Sequence, residues 1–281
     1  MRYLYKNILL GNTLHAVSKE AYSRNNDHTE YHPHYEICIL PENRKYVLTV
    51  GGKTSNVTGP CAVYLSPFSV HHISLTNNDT SFVRMIYYFS EEALKLLQSI
   101  LPSDIPQNNQ NVVLFPTSRY ISDSEVLFKQ SISGYTTPKE GLCILALTIN
   151  KIISSTPVNN RIVYNANESQ LSEILRYISA HLEEKLTTEI LANEFHMSRS
   201  TLDRLFRMYA EQTVKDTITE CRISTAKDLL SATDAPIKEI MVKCGFQSEN
   251  HFFAFFKSHT GITPNKYRQA NYTDKFNLKQ C

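Results

Sequence analysis

The sequence predicts an α+β protein of two domains, the first rich in short β-strands and the second entirely α-helical. Its 281 residues suffice for two separate cores. Residues 1 to about 115 contain short runs of Ile, Val, Tyr and Phe, whereas a helix-turn-helix pattern occurs twice in the last third of the chain. We expect a first domain over residues 1–155, a linker over 156–167, a second domain over 168–270 and a tail over 271–281.

The N-terminal strands are predicted from β-branched and aromatic runs that turn residues separate. These runs include Tyr35–Leu40, Tyr46–Val50, Ala62–Leu65 and Phe82–Phe89. Gly51-Gly52 lies between two further runs, as expected for the turn of a β-hairpin. Many short strands at close intervals are typical of a β-barrel or a β-sandwich.

Helical periodicity follows the strands. It predicts helices at Glu91–Leu101, Ser122–Ser133 and Glu140–Ile153. The last of these carries more apolar surface than one small helix usually hides in its own domain. The polar stretch Ser154–Asn160 contains Pro157 and indicates a linker. A helix at Ser169–Leu182 then begins the second domain.

The most specific pattern lies between residues 237 and 268. Apolar residues at helical spacing lead to Gly245, which permits the positive φ of a sharp turn. Ser248 then has the position of an N-cap, and residues 249–259 form a helix with an inner stripe of phenylalanines. Gly261 ends this helix before a short third one. Two short helices joined by a tight turn are typical of a helix-turn-helix.

The same pattern occurs earlier in the chain. Thr188–Phe195 is a short helix, Ser198 is the cap, and Arg199–Met208 is the second helix. Val214–Leu230 joins the two copies without a helix breaker, and at about 1.5 Å per residue it is roughly 25 Å long. Successive major-groove faces recur about every 34 Å along B-DNA. A rod of this length can therefore set two helices into adjacent groove segments.

The later copy also has a characteristic set of fixed spacings. Its residues are Ile237, Ile240, Cys244, Gly245, Phe246, Ser248, Phe252, Phe256, Lys257, Gly261, Thr263, Pro264, Tyr267 and Arg268. With these spacings, the region from Leu171 to Arg268 resembles the DNA-binding domain of AraC-type transcription regulators. The resemblance implies a sequence-specific regulator, of the activating kind, with double-stranded DNA and RNA polymerase as partners.

The N-terminal strands carry their own pattern. His32-Pro33-His34-Tyr35-Glu36-Ile37 lies near the start, and Leu65-Ser66-Pro67 is followed by His71-His72. This part resembles the cupin-like sensor domain of many AraC-type regulators. The resemblance implies a cupin-like β-barrel that senses a small-molecule effector, with a homodimer contact on the helix at residues 140–153. The alternative for this helix is packing over its own barrel.

The predicted DNA-binding residues lie at the caps and on the outer faces of the two second helices. They are Ser198, Arg199, Ser200, Thr201, Asp203, Arg204, Arg207, Gln247, Ser248, Glu249, Asn250, His251 and Lys257. The net charge of +2 gives no overall nucleic-acid signal, but the basic residues are concentrated on and beside these helices. Ala254 stands where the family often has a polar or basic residue. We therefore expect the first copy to read bases and the second mainly to hold the backbone.

The histidines near the start of the strands form a second candidate site. His32, His34 and Glu36 alternate, so on a strand they would share a face that His71 could join. Such ligands suit a divalent metal, which makes a metal-dependent cupin enzyme one alternative. However, Glu36 lies too early for the usual cupin metal pattern. We expect no metal, no cofactor and no catalytic residue.

Two interpretations of the histidine cluster remain open. It is either part of an effector pocket formed by His32, His34, Glu36, His71 and Tyr87, or a structural set of paired polar groups. For the whole chain, a ligand-binding adaptor whose helical domain binds protein is a further alternative to a DNA-binding regulator.

The cysteines and the apolar runs indicate where the protein is found. The six cysteines form no C-x-x-C pair and no zinc-type spacing, which suits reduced thiols. The chain has no N-terminal signal pattern and no apolar run near the roughly 18 residues of a membrane helix. We expect a soluble, cytoplasmic protein with no membrane partner.

Overall fold

The computed structural model of the protein describes residues 6–10, 13–23, 29–76, 81–101, 110–116, 123–128, 138–157, 161–165 and 170–277. The chain divides into two compact units, Met1–Ser172 and Glu173–Cys281. The first contains β-sheets with helices and the second is helical, which confirms the predicted fold class. Within the described ranges, no helix has the length and apolar character needed to cross a membrane.

The described part of the first unit consists of antiparallel sheets and helices. Its strands are β1 Lys6–Leu10, β2 Thr13–Ser23, β3 Tyr35–Leu40, β4 Lys45–Val50, β5 Lys53–Thr58, β6 Cys61–Leu65, β7 His71–Leu75, β8 Ser81–Phe89, β9 Gln110–Leu114 and β10 Arg161–Asn165. One sheet has the order β1-β2-β8-β3-β6-β9-β10 and the other has the order β5-β4-β7. The helices are α1 Glu91–Ile100, α2 at residues 123–128 and α3 Pro138–Ser154.

Strand β3 is buried on both faces, and its alternating side chains enter two different cores. Tyr35, Ile37 and Ile39 belong to a core that also contains side chains of α1 and α3. Cys38 and Leu40 belong to a second core, to which the three-stranded sheet contributes. The predicted β fold thus takes the form of two facing sheets, with helices against the outer face of the larger one.

Part of the segment predicted as a linker, residues 156–167, forms a β-strand. Arg161–Asn165 form strand β10, which pairs with β9 from Arg161 opposite Leu114 to Asn165 opposite Gln110. The prediction of a linker is therefore wrong for this stretch. Ile-Val-Tyr at its centre has high β-propensity, and the polar residues on both sides hid that signal.

Helix α3 mainly covers its own sheet. Leu145, Ile149 and Ile152 are buried in the core with the strands, whereas Leu147 is 50 % exposed. Packing over its own sheet is the alternative that we gave to a homodimer contact for this helix. Leu147 nevertheless remains an exposed apolar residue on α3. Of the predicted helix at residues 122–133, residues 123–128 are helical and the others lie outside the described residues.

The second unit contains the helices that the periodicity predicts. They are α4 Gln170–Ala180, α5 Thr188–Glu194, α6 Arg199–Tyr209, α7 Val214–Ala232, α8 Ile237–Lys243, α9 Glu249–Thr260 and α10 Pro264–Asn277. Helix α10 continues as far as Asn277, so the first part of the stretch predicted as a tail over residues 271–281 is helical. No glycine or proline follows Pro264 in this stretch, so nothing in the sequence ends the helix early.

Helix α7 supports both helix-turn-helix units. It packs against α6, α8 and α10. Val214, Ile218 and Cys221 are buried along the first part of this helix, and burial then shifts around the helix to Ala226 and Leu230. Because partners cover more than one side of the helix, its apolar residues do not follow one simple stripe.

Candidate functional site

The first helix-turn-helix consists of α5 and α6. The Ser198 hydroxyl accepts a hydrogen bond from the Thr201 backbone N–H at 3.1 Å, as predicted for an N-cap. It also lies 2.9 Å from the Ser200 hydroxyl and 2.8 Å from the Thr201 hydroxyl. Leu202 and Phe206 are buried and fix the inner face of α6. The N-terminus of α6 therefore presents a compact set of hydroxyl groups beside free backbone N–H groups.

The arginines of α6 differ in their surroundings. Arg199 Nη1 lies 2.8 Å from the Glu189 carboxylate, so this predicted DNA contact forms an ion pair between α5 and α6. Arg204 and Arg207 are exposed, and among the described residues neither forms an ion pair. Asp203 is half-buried. Arg204 and Arg207 are thus the side chains of α6 best placed to bind an anionic or hydrogen-bonding partner.

The second helix-turn-helix consists of α8 and α9. Gln247, Ser248, Glu249, Asn250, His251 and Lys257 are all exposed, as is Ala254. The Ser248 hydroxyl accepts from the His251 N–H at 3.5 Å, a longer cap than that of Ser198. The His251 ring also packs edge-on to Phe246, 5.4 Å between centroids. The outer face of α9 is accessible, but it is less basic than that of α6.

The turn of this unit depends on Gly245 and Arg222. Gly245 has a φ of +77°, in the left-handed region that glycine adopts without steric cost. The Arg222 guanidinium of α7 lies 5.6 Å from the Phe246 ring centroid, and its Nη2 donates to the Glu184 carbonyl at 3.4 Å. The Arg222 side chain therefore links the turn at Phe246 to the backbone at Glu184.

Two further basic residues belong to or follow the second helix-turn-helix. Arg268 Nη2 donates to the Ala235 carbonyl oxygen at 2.6 Å, which ties this side chain to the helical unit itself. Lys243, in the last turn of α8, is exposed and lies just before the turn of this unit.

The N-terminal polar cluster, which we define as Glu30, His32, Glu36, His71 and Arg84, lies largely inside the first unit. His32 Nε2 is 2.6 Å from Glu36 Oε2, and His71 Nε2 is 3.5 Å from the same oxygen. Glu36 and His71 are fully buried, and His32 is 16 % exposed. Two histidines from separate parts of the sequence thus converge on one carboxylate.

Sequence reasoning missed two members of this cluster, Glu30 and Arg84. Arg84 on β8 donates to both carboxylate oxygens of Glu30, at 2.8 and 3.3 Å. Glu30 also forms an isolated β-bridge with His71. The signal was an arginine within the apolar run of β8, since a buried arginine requires a charged partner.

The protonation states follow from this arrangement. Burial favours a raised pKa for Glu36, but the hydrogen bond with His32 and the charge of His71 bring the pKa below its usual range. Burial favours a lowered pKa for His71, but the carboxylates of Glu30 and Glu36 raise this pKa above its usual value. Burial favours a raised pKa for Glu30, yet His71 and Arg84 bring it well below its usual range. Both carboxylates are therefore charged.

The predicted pocket is only partly assembled. Tyr87 is wrong as a member, because its ring lies in the other core, 5.5 Å from that of Phe128. Side chains alternate along β8, so it is Tyr88 that faces the cluster, 4.8 Å from the His32 ring. His34 contributes its carbonyl oxygen, which accepts from His32 Nδ1 at 2.9 Å. His34 precedes β3, so the expected alternation along one strand does not apply to it.

The comparisons with known proteins agree with the helical geometry. Residues 191–270 match a family described as a helix-turn-helix domain. The transcriptional regulator ArgR of Pseudomonas aeruginosa is 30 % identical over 112 residues, which is 40 % of this chain and 33 % of ArgR. The transcriptional activator RhaS of an Enterobacter species is 20 % identical over 248 residues, covering 86 % of this chain and 87 % of RhaS.

One solved structure is similar to part of the chain. It is a transcriptional regulator of Chromobacterium violaceum with an AraC-type DNA-binding domain, 32 % identical, covering 37 % of this chain and 94 % of that one with a TM-score of 0.35. The alignment with ArgR spans a third of that relative, while the alignment with RhaS extends over both units. Residues 191–270 therefore form a helix-turn-helix domain similar to those of transcription regulators.

Proposed function

We propose that the protein is a sequence-specific DNA-binding regulator that activates transcription, in which α6 and α9 enter adjacent major-groove segments. The observation that carries this proposal is the repeated, capped helix-turn-helix on one long helix. With 19 residues at about 1.5 Å each, α7 is about 28 Å long. This length is close to the roughly 34 Å between successive major-groove faces on one side of B-DNA.

The two second helices contribute differently in this proposal. Arg204 and Arg207 of α6 are exposed, and an arginine that bonds guanine with two parallel contacts gives about 1–3 kcal/mol of discrimination. Helix α9 presents Ala254 and the acidic Glu249, which suit direct base contacts less well. Its Asn250 and Lys257 can still bond phosphates. Helix α6 therefore selects the sequence and α9 mainly adds affinity.

Selection of bound sequences from a random DNA pool tests the function. We expect the full-length protein to enrich a motif that spans two adjacent major-groove segments. The same selection with a fragment of residues 167–281 should enrich a single copy, whereas a dimeric full-length chain should enrich two. If neither the full chain nor the fragment enriches a motif at low salt, the helical unit does not read DNA, and a protein-binding adaptor becomes the better explanation.

Two variants test the division between the helices. Arg204→Ala should lower the preference for the selected site over a mutated site by about 1–3 kcal/mol, since it removes a base contact. Asn250→Ala should weaken binding to both sites about equally, because phosphate contacts are the same for every sequence. Lys185→Ala is the matched control, an exposed residue outside both second helices. A larger loss of selectivity with Asn250→Ala would contradict the assignment.

The first unit supplies the proposed regulatory contacts. Leu96 and Ile100 of α1 and Leu147 of α3 are between 49 and 63 % exposed, and both helices cover the same core. Exposed apolar residues of this kind support a homodimer contact through these helices. Leu147→Glu should then convert a dimer into monomers in light scattering, while Lys53→Glu on the exposed strand β5 of the three-stranded sheet should not.

The remaining parts of the proposal rest on the family. An effector would bind in the first unit, RNA polymerase would contact the DNA-bound protein, and the site of action would be the cytoplasm. We propose no enzymatic role for the N-terminal polar cluster. Comparison of transcription from a selected site with and without the protein, using purified RNA polymerase, tests activation directly. Reduced transcription in that assay would assign repression instead.

A further inference from the structure

Backbone carbonyl groups fix the orientation of the two histidine rings of the N-terminal polar cluster. His32 Nδ1 lies 2.9 Å from the His34 carbonyl oxygen, and His71 Nδ1 lies 2.8 Å from the Ser69 carbonyl oxygen. A carbonyl can only accept, so both Nδ1 atoms must carry hydrogen. His32 Nε2 also donates to Glu36 Oε2 at 2.6 Å, so a metal ion would displace this proton and use the lone pairs of both Nε2 atoms. Histidines that bind metals are oriented in this way, with the other ring nitrogen donating to a carbonyl or carboxylate.

The two Nε2 atoms converge with Glu36 on one point. One oxygen, Glu36 Oε2, lies 2.6 Å from His32 Nε2 and 3.5 Å from His71 Nε2. One ligand atom from each of the three residues lies within 4.8 Å of the others. Ligands at about 2.0–2.1 Å from a tetrahedral ion are separated by about 3.3 Å, a value between these two distances. The side chains therefore need to move by only about an ångström to share one ion.

Part of this group is buried without hydrogen-bond partners. Among the described residues, neither Glu36 Oε1 nor His71 Nε2 has one, although both residues are fully buried. Burying such atoms is costly unless a partner compensates. The contact between His71 Nε2 and Glu36 Oε2 at 3.5 Å is too long to be a good hydrogen bond. A bound cation would satisfy these atoms together.

We propose that His32, Glu36 and His71 bind a first-row divalent transition-metal ion such as Zn²⁺. Two imidazoles and a carboxylate favour such an ion over Mg²⁺ or Ca²⁺, which prefer oxygen ligands alone. Glu30 is already paired with Arg84 and lies outside the set. His32, which is 16 % exposed, provides the route of entry.

The ion would join the two sheets of the first unit. Glu36 belongs to β3 in the larger sheet, and His71 belongs to β7 in the three-stranded sheet. Binding should therefore raise the stability of the first unit, because an ion that binds only the folded state stabilises it by mass action. This inference concerns binding and stability, and it does not depend on the proposed DNA-binding function.

Metal binding by the full-length protein tests the proposal. The protein is stripped with a chelator, equilibrated with Zn²⁺, passed through a desalting column and analysed by elemental mass spectrometry. We expect one tightly held Zn²⁺ per chain and a higher melting temperature. We expect His71→Gln and His32→Gln to bind at least about tenfold more weakly. The matched control is His72→Gln, the next residue on β7, which should bind as the wild type does.

The visible spectrum of bound Co²⁺ distinguishes binding at this site from binding by cysteines. It is measured on the wild-type protein, so it does not depend on whether a variant folds. The Co²⁺-loaded wild type should show the weak visible bands of nitrogen and oxygen ligands without strong sulfur-to-cobalt bands. Circular dichroism verifies that each variant is folded. Absence of retained metal in the wild type, strong sulfur bands, or equal binding by folded His71→Gln and His32→Gln would each overturn the proposal.

Discussion

At the residue scale, the clearest determinants of the fold are two glycines with similar backbone angles and different surroundings. Gly245 and Gly261 have φ values of +77° and +79°. A Cβ atom on Gly245 would overlap the Leu182 carbonyl oxygen and lie 2.9 Å from Arg222 Nη2, whereas a Cβ on Gly261 would meet nothing within 4 Å. The sequence shows both as helix-ending glycines, but it cannot show that the first is also enclosed.

These two glycines give a matched pair of substitutions. Gly245→Ala should lower the free energy of unfolding of the second unit by about 3 kcal/mol, because backbone strain and steric overlap add together. Gly261→Ala should cost about 1 kcal/mol, since only the left-handed conformation is penalised. Urea denaturation followed by circular dichroism measures both. Equal losses would show that the packing around Gly245 relaxes easily.

The same scale explains why the N-terminal cluster can be predicted only in part. His32, Glu36 and His71 are identifiable because histidines and acids in apolar surroundings stand out in a sequence. Tyr87 is wrong because parity along β8 decides which tyrosine faces the cluster, and that parity is set by pairing with β3. Glu30 cannot be identified without Arg84, which lies far from it in the sequence.

At the scale of elements, helix ends are predicted best where a cap or a glycine is specific. Ser198, Ser248 and Gly261 lie at the helix ends that the sequence predicts. Strand β10 escapes prediction because five residues with an apolar centre give a weak signal inside a polar segment. The predicted end of α10 comes too early, because no residue in the sequence marks a stop.

The cap of α6 can be tested separately from its DNA contacts. Ser198→Ala should destabilise the second unit by about 1 kcal/mol, because the Thr201 N–H loses its acceptor. Ser198→Asn should retain most of the stability, since asparagine is an equally good N-cap. If DNA affinity falls equally in both variants, the serine hydroxyl contacts DNA directly. Unchanged stability in Ser198→Ala would contradict the capping role.

At the scale of the whole molecule, the two units have separate cores. The cores of the first unit draw on the strands with α1, α2 and α3, and one core of the second unit draws on α7, α8 and α9. The two-domain prediction can be made from the sequence because the periodicity changes from strand-like to helical. The pairing of strands that are distant in the sequence, such as β2 with β8, cannot be predicted from the sequence in this way.

Substitutions in the two units should therefore act on separate unfolding transitions. Arg84→Met should destabilise the first unit by about 3–5 kcal/mol, because it leaves Glu30 charged and largely buried without its partner. Lys95→Met, which breaks the exposed pair with Glu91, is the control and should cost less than about 0.5 kcal/mol. Calorimetry should show Arg84→Met moving one transition and Gly245→Ala the other. A single transition moved by both would mean that the units unfold together.

The length of α7 has a consequence for how target promoters can change over time. If both helix-turn-helix units engage DNA at once, a continuous helix of 19 residues cannot stretch to follow a longer site. One added base pair between the two half-motifs moves them about 3.4 Å apart and turns them about 35° around the duplex. Base substitutions would then weaken a promoter by degrees, whereas insertions and deletions at its centre would abolish it in a single event. Across the regulated promoters, the spacing between the two half-motifs would vary less than the base sequence of the half-motifs.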